Sequence, residues 1–566
     1  MRFPRNSVLL CGLLSCCGTG RVEGPEILPS PPPAADLILV VSRVHPLEKS
    51  TEEAPEALAV LGGRILGVSD RVGILRFRGT GTRILRFPGA HLFPGFTDAH
   101  GHLASLGASL EELDLRKTRS FEELCDRVRK RASRLPKGRW ILGRGWDQTR
   151  WDPPIMPEHR RLSRLVPDHP VFLVRIDGHA ALVNQAALEA AGIKKDTKDP
   201  PGGKILRGGG GVPTGVLLDS AMNRVRERIP APSRETLRRR LLLAQRRCLS
   251  KGLTRVHDAG TSDRVFALLR SLEDEGEWKL GVYGMLPAPS NTGYPSLEED
   301  SPRSRIRRRA VKFYADGALG SRSAALLADY EDRPGYRGFL LESPSELEKR
   351  VTEAVRAGFQ PCIHAIGDRA NRLVLDILER VLGPTGIRRL RPRIEHAQVL
   401  AVGDLDRLAR SGILASMQPT HLTSDLRWAG RRLGPSRLEG AYAFHALLER
   451  GGRVCFGSDF PVEPVDPFAG VFAAVTTRPP ESPDSPAFAP SHAVDRKTAL
   501  IGFCRTPHTA AFEEGVRGRL APGFEADFTI VDRDLERVPD QALLGTRVLA
   551  TVVHGEVVWT PDGDLR

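Results

Sequence analysis

The stretch Phe93-Pro-Gly-Phe-Thr-Asp-Ala-His-Gly-His102 joins a short apolar run to a His-x-His pair, and its reading decides the fold. Alternate residues of an extended chain point to the same side, so His100 and His102 aim together while Gly101 leaves room between them. Neutral imidazoles placed this way bind zinc well, but an isolated pair often does no more than hydrogen-bond. Outward along the chain the same coupling of apolar run and ligand recurs. His364 closes Gln360-Pro-Cys-Ile-His364, His396 ends Arg393-Ile-Glu-His396, and Asp459 follows Val454-Cys-Phe-Gly457. Four histidines and one aspartate at strand ends make a nitrogen and oxygen set suited to Zn²⁺ or a similar divalent ion.

Those runs belong to a series. Buried parallel strands are expected at Leu92–Thr97, Leu253–His257, Leu280–Met285, Val311–Ala315, Gln360–His364, Arg393–Ala397, Ile413–Met417 and Val454–Gly457. Amphipathic segments such as Leu237–Leu249 and Leu347–Ala357 separate most of them. Eight strands alternating with helices is the count of a closed (β/α)₈ barrel, whose active sites form at the C-terminal strand ends. The gap after the first strand is too long for one crossover helix, so about 104–235 reads as an inserted subdomain. Glycine-broken apolar runs at both ends of the chain, such as Leu37–Val41 and Val548–Val553, read as two halves of a small β-sandwich. The expected order is a leader and Pro-rich linker (1–35), the N-terminal half of the sandwich (36–93), the distorted barrel (94–505) and the C-terminal half of the sandwich (506–566).

Composition narrows the function classes. A chain of 566 residues, 40% hydrophobic and 27% charged, is neither disordered nor multi-spanning. The net charge of +14 comes from scattered arginines, with one cluster at Arg303, Arg305, Arg307, Arg308 and Arg309 and no nucleic-acid-binding signature beside it. Cys125, Cys248, Cys362, Cys455 and Cys504 lack any C-x-x-C pair and read as buried free thiols. At the N-terminus, Arg2 and Arg5 precede the apolar run Val8–Leu14, as in an export signal. Leu13-Leu14-Ser15-Cys16 is similar to a lipobox with Cys16 as the lipidated residue, which places the protein in the cell envelope; a cytoplasmic location is the alternative.

The order His-x-His, Lys, His, His, Asp along alternating β/α units resembles the amidohydrolase superfamily. Phe93–His100, Gly143-Arg-Gly-Trp-Asp147, Arg175-Ile-Asp-Gly-His-Ala180, Val311–Ser321, Gly457-Ser-Asp-Phe-Pro461 and Gly518–Asp527 are similar to its YtcJ-type "amidohydrolase 3" branch. This resemblance implies one or two divalent ions, with His100, His102 and Asp459 on the more buried one and His364 and His396 on the second. It also implies Lys312 as a carboxylated bridge; the other reading of Lys312 is an ion pair with Asp316. The metal is then expected to acidify water, Asp459 to act as general base and acid, and the metal or a nearby histidine, His396 among them, to polarise the scissile carbonyl.

Trp146, Asp147, Asp177 and His179 line a substrate cleft or pack internally, and Arg322 binds a substrate carboxylate or is simply exposed. His257 is either a partner behind the ligands or a core histidine, and Gly208–Gly211 reads as a hairpin tip. The expected activity is metal-dependent hydrolysis of a carbon–nitrogen bond of amide type. The alternatives are the same site acting on an ester or other bond, or a binding lipoprotein with catalysis lost. The expected partners are a small-molecule substrate, a membrane only through Cys16, and at most a second copy in a homodimer, with no nucleic acid.

Overall fold

The computed structural model describes residues 32–47, 54–176, 178, 180–200, 203–289, 293–295, 297, 304–426 and 428–563. Its centre is an eight-stranded sheet of parallel neighbours. In chain order the strands are Phe96–Gly101, Leu253–Ala259, Gly281–Pro287, Ile306–Tyr314, Gln360–Ala365, Arg393–His396, Leu414–Met417 and Arg453–Phe456. Both faces are covered, which explains why the strands read as continuous apolar runs. No ladder joins the first and last strands among the described residues, and a parallel bridge from Gly101 to Phe460, just past the last strand, leaves the barrel nearly closed. Helices return along the outside, several with the side-chain caps their sequences offer. Ser233, Ser262 and Ser343 accept from backbone N–H groups at the starts of Arg234–Ser250, Asp263–Asp274 and Pro344–Arg356.

The expected first strand needs correction. The run Leu92–Thr97 is split: His91–Pro94 pairs antiparallel with Phe528–Val531 in another sheet, and the barrel strand starts at Phe96. Pro94 offers no donor to continue a ladder, and a Cβ on Gly95 would sit 2.1 Å from the Thr254 hydroxyl oxygen. The dipeptide therefore marks a change of sheet that an apolar pattern does not reveal.

His91–Pro94 belongs to a five-stranded sheet with Arg43–Val44, Phe528–Val531, Val548–Val553 and Glu556–Trp559. A four-stranded sheet of Arg64–Ser69, Ala57–Leu61, Leu37–Val40 and Arg83–Arg86 packs on it through Leu39, Leu58, Leu92, Phe528 and Val552. Residues from both ends of the chain thus make one sandwich. The insertion is a six-stranded sheet running from Leu113–Asp114 to Pro213–Asp219 in sequence. The chain leaves the barrel through helix Leu103–Glu111 and returns through Arg234–Ser250. These helices touch so closely that a Cβ on Gly107 would fall 2.1 Å from the Arg240 carbonyl oxygen.

The fourth barrel strand begins earlier than expected, at Ile306, and so runs through the arginine cluster. Those side chains are paired: Arg308 with Asp263 at 2.6 Å, Arg307 with Glu513 at 3.5 Å and Arg305 with Glu556 at 3.7 Å. Arg303 and the leader with Cys16 lie outside the described residues. The other five cysteines are free and buried, and no helix among the described residues is long and apolar enough to cross a membrane. Gly208–Gly211 sits between the antiparallel strands Gly203–Arg207 and Pro213–Asp219, as a hairpin tip.

Candidate metal centre

The C-terminal mouth of the barrel is assembled by backbone and carboxylate clamps. Asp459 donates its N–H to the His100 carbonyl at 2.7 Å, and His102 donates to the Phe460 carbonyl at 2.9 Å. These two bonds stitch the loop after the last strand onto the end of the first. Asp98 adds a third tie, accepting from the N–H groups of His100 and Ser458 and from the Ser458 hydroxyl at 2.6 Å. Gly101 leaves the room expected of it, because a Cβ there would lie 2.4 Å from two carbons of the Phe460 ring. Asp459 and His396 both hold left-handed backbones, with φ of 58° and 75°, the kind of strain that persists only where its surroundings enforce it.

This framework brings together all six residues proposed from the sequence as ligands. The donor atoms of His100, His396 and Asp459 all lie within 4.8 Å of one another. The His102 Nε2 is 3.0 Å from Asp459 Oδ1, and the Lys312 Nζ is 3.3 Å from His100 Nε2. The His364 and His396 rings are 4.6 Å apart, edge to face. The tightest triple therefore cuts across the two-ion division that the family resemblance implies. Lys312 makes no ion pair with Asp316, whose oxygens accept instead from the N–H groups of Ala325, Ile366 and Gly367.

Electrostatics prepare the same groups as donors. Burial, with Lys312 alongside, holds His100 and His364 neutral, the latter pushed down to about 3. Burial and the neighbouring His364 and His100 do the same for His396. Burial also lowers Lys312, against the pull of Glu395 and Asp459. For Asp459 burial acts upward, but His102, His100 and His421 outweigh it and hold the carboxyl down at about 2.

Several members of the site were not foreseen. Glu395, wholly buried, contacts His100 Nδ1 at 2.5 Å and is itself ion-paired with buried Arg393 at 2.8 Å. Gln418 holds His396 Nδ1 at 2.8 Å through its carbonyl oxygen. With the Nδ1 positions so engaged, Nε2 of each ring presents its lone pair to the centre, the arrangement typical of metal-binding histidines. His421, on helix Pro419–Asp425, stacks with His396 at 5.8 Å and places Nε2 3.8 Å from Asp459 Oδ2. Half-exposed Tyr314 lies over Lys312 and 5.5 Å from His364. His257 is fully buried and bonded through Nδ1 to Arg393 at 2.8 Å, one step further from the ligands than Glu395.

A divalent ion fits these residues. Asp459 Oδ1 is buried without a hydrogen-bond partner, although His102 Nε2 lies 3.0 Å away. Such orphaned buried atoms are rare unless something binds them. The donor set of neutral imidazoles and one carboxylate is that of zinc sites.

Other sequence candidates fall elsewhere. Trp146 is fully buried in the inserted subdomain and donates its indole N–H to the Leu173 carbonyl, so it packs rather than lines a cleft. Asp147 is ion-paired with Arg175 at 3.0 Å. Arg322 is held by both Asp332 oxygens at 3.0 Å, which places its charge on a loop partner instead of a substrate carboxylate. Asp177 and His179 lie outside the described residues.

Comparison with known proteins agrees with this architecture. The family model Amidohydro_3, described as the amidohydrolase family, matches residues 88–559. YtcJ of Bacillus subtilis (strain 168), whose name assigns it to the amidohydrolases, is 32% identical over 483 residues, 84% of this chain and 90% of that protein. Protein LONG AFTER FAR-RED 3 of Arabidopsis thaliana is 34% identical over 548 residues, 93% of each chain. The crystal structure of an uncharacterised metal-dependent hydrolase from Pyrococcus furiosus superposes with a TM-score of 0.73 at 28% identity, covering 88% of this chain and all of that one. With the family model matched over residues 88–559, which take in the barrel and the C-terminal strands of the sandwich, the chain belongs to the amidohydrolase family.

Proposed function

We propose that this protein, a metal-dependent hydrolase by family, cleaves a carbon–nitrogen bond of amide type, with Asp459 as the group that moves the proton. The observation that carries the reading is Asp459 itself. Its carboxylate is kept ionised at about 2, is buried, and leaves Oδ1 unbonded among His100, His102 and His421. An ion held by His100, His396 and Asp459, with His102, His364 and Lys312 beside them, would supply Lewis acidity toward a carbonyl and toward water. Asp459 is placed to accept a proton from the attacking water and to return it to the departing nitrogen. That return distinguishes amide from ester chemistry, because an amine leaves as a neutral molecule only once protonated. The His421 Nε2, 3.8 Å from Asp459 Oδ2, would in its N–H tautomer donate to the oxygen that becomes negative in the tetrahedral intermediate.

A relative supports the bond class. A protein of Arthrobacter pascens named N-substituted formamide deformylase is 25% identical over 546 residues, 93% of this chain and 99% of that protein. The test is a panel of N-substituted formamides, N-acyl amines and matching esters, read as amine or alcohol released by the zinc-loaded enzyme. The amides are expected to be hydrolysed with the higher kcat/KM. Turnover of the esters alone would overturn the assignment.

A further inference from the structure

A second group of ligand-type side chains lies in the sandwich, apart from the barrel mouth. His45 follows strand Arg43–Val44, His91 opens strand His91–Pro94, and Asp534 and Glu536 lie in the loop after Phe528–Val531. The sheet register brings them together: His45 donates its backbone N–H to the Leu92 carbonyl at 2.8 Å. Phe93 stacks on the His45 ring at 4.1 Å and 9°, which fixes its plane. His45 is fully buried, its Nδ1 contacts Glu536 Oε2 at 2.5 Å, and its Nε2 lies 3.0 Å from His91 Nδ1 and 3.8 Å from Asp534 Oδ1.

The chemistry of that arrangement is one-sided. With Glu536 accepting from Nδ1, His45 Nε2 carries a lone pair. That lone pair faces a second ring nitrogen and an anionic oxygen. All three donor atoms fall within 4.8 Å of one another. A tetrahedral zinc about 2.1 Å from each ligand sets ligand atoms about 3.4 Å apart, between the two distances observed. The carboxylate–histidine pair Glu536–His45 repeats the Glu395–His100 pair of the barrel mouth, the arrangement that orients a metal-binding imidazole. Asp534 Oδ2 is 3.9 Å from Arg537, while Oδ1 accepts from the Glu536 N–H at 3.0 Å and keeps a second lone pair on the side of His45.

We propose that His45 Nε2, His91 Nδ1 and the Asp534 carboxylate form a second divalent-metal site, with Glu536 orienting His45. The site is structural. His45 and His91 come from the N-terminal half of the sandwich, whereas Asp534 and Glu536 come from the C-terminal half. The Arg496 guanidinium holds the same loop to barrel helix Arg496–Cys504 by donating to the Leu535 carbonyl at 2.6 Å. An ion here staples the two ends of the chain together beside the barrel. The competing arrangement is a simple hydrogen-bonded chain, in which His91 Nδ1–H donates to His45 Nε2 and no ion is held.

The test is zinc content per chain of the full-length protein after equilibration with zinc and removal of loosely bound ion. Wild type is compared with His91→Ala and with the near-isosteric Asp534→Asn, which keeps the loop's packing. Both variants are expected to hold about one zinc fewer than wild type, to hydrolyse substrate at an unchanged rate, and to lose the part of the thermal midpoint that zinc confers. Equal zinc content in wild type and in Asp534→Asn, with a midpoint equally sensitive to zinc, would overturn the site and leave the hydrogen-bonded chain.

Discussion

Replacing Glu395 by Gln probes the barrel-mouth chemistry without touching a ligand. Glu395 Oε2 lies 2.5 Å from His100 Nδ1 and accepts from Arg393 Nη2 at 3.1 Å, while Oε1 faces Arg393 Nε at 2.8 Å. All of these neighbours donate, and an amide accepts at one end only. If the amide nitrogen faces Arg393, two donors meet in a buried site. If it faces His100, it donates to Nδ1, moves the ring proton to Nε2 and removes the lone pair that a metal needs. Loss of such an orienting carboxylate weakens metal binding about 10- to 100-fold, which is about 1.4 to 2.8 kcal/mol. Removing one partner of a buried ion pair also costs about 3–5 kcal/mol of stability. The low end applies here, since Arg393 keeps the Ala99 carbonyl at 2.7 Å and the Ser416 hydroxyl at 2.9 Å. The assay is zinc affinity by competition with a chelator on folded variant and wild type, paired with circular dichroism. A dissociation constant equal to wild type in a folded Glu395→Gln protein would refute the reasoning and reduce Glu395 to a partner of Arg393.

Other perturbations follow from the same geometry. Gly101→Ala forces a methyl to within 2.4 Å of the Phe460 ring, beside Asp459. It should cost about 1–3 kcal/mol of stability by denaturant titration and lower kcat more than it raises KM. Lys312→Ala should reduce the zinc held at the barrel mouth if this lysine bridges two ions, and unchanged zinc content would remove the bridge. Glu513 is buried, which acts to raise its pKa, but Arg255, His508 and Arg517 outweigh that and hold it at about 2, below its ordinary 4.5. Its folded-state pKa is depressed, so its stabilisation is present above about 4.5 and is lost as pH falls toward 2. Glu513→Gln should be less stable than wild type at pH 6, with the gap narrowing below pH 4.5.

Much of this was legible because barrel strands are buried on both faces and place their functional side chains at one end. His100, His364, His396 and Asp459 each follow an apolar run, so chain order singled them out, whereas Lys312 came only from the family resemblance. What stayed hidden depends on distance in sequence. Glu395 is 295 residues from the His100 it contacts, and nothing local to Arg393-Ile-Glu-His396 tells a ligand's support from a strand residue. His421 and Gln418 sit in a turn and helix that follow a strand carrying no ligand of its own. The partners of Arg307 and Arg305 could not be read from the sequence, since Glu513 and Glu556 lie 206 and 251 residues on. Trp146 read equally as a cleft residue or a packing residue, because its burial is decided by the sheet around it, which its local sequence does not reveal.

The central claim is metal-dependent amide hydrolysis with Asp459 as proton carrier. Its most direct test is the rate of amine release from the best amide of the panel, by chelator-treated protein before and after zinc is restored, beside zinc-loaded Asp459→Asn. No release is expected from the metal-free protein, with full recovery on adding zinc and a rate about 100- to 10,000-fold lower in the variant. Undiminished release by metal-free protein, or by zinc-loaded Asp459→Asn, would contradict it.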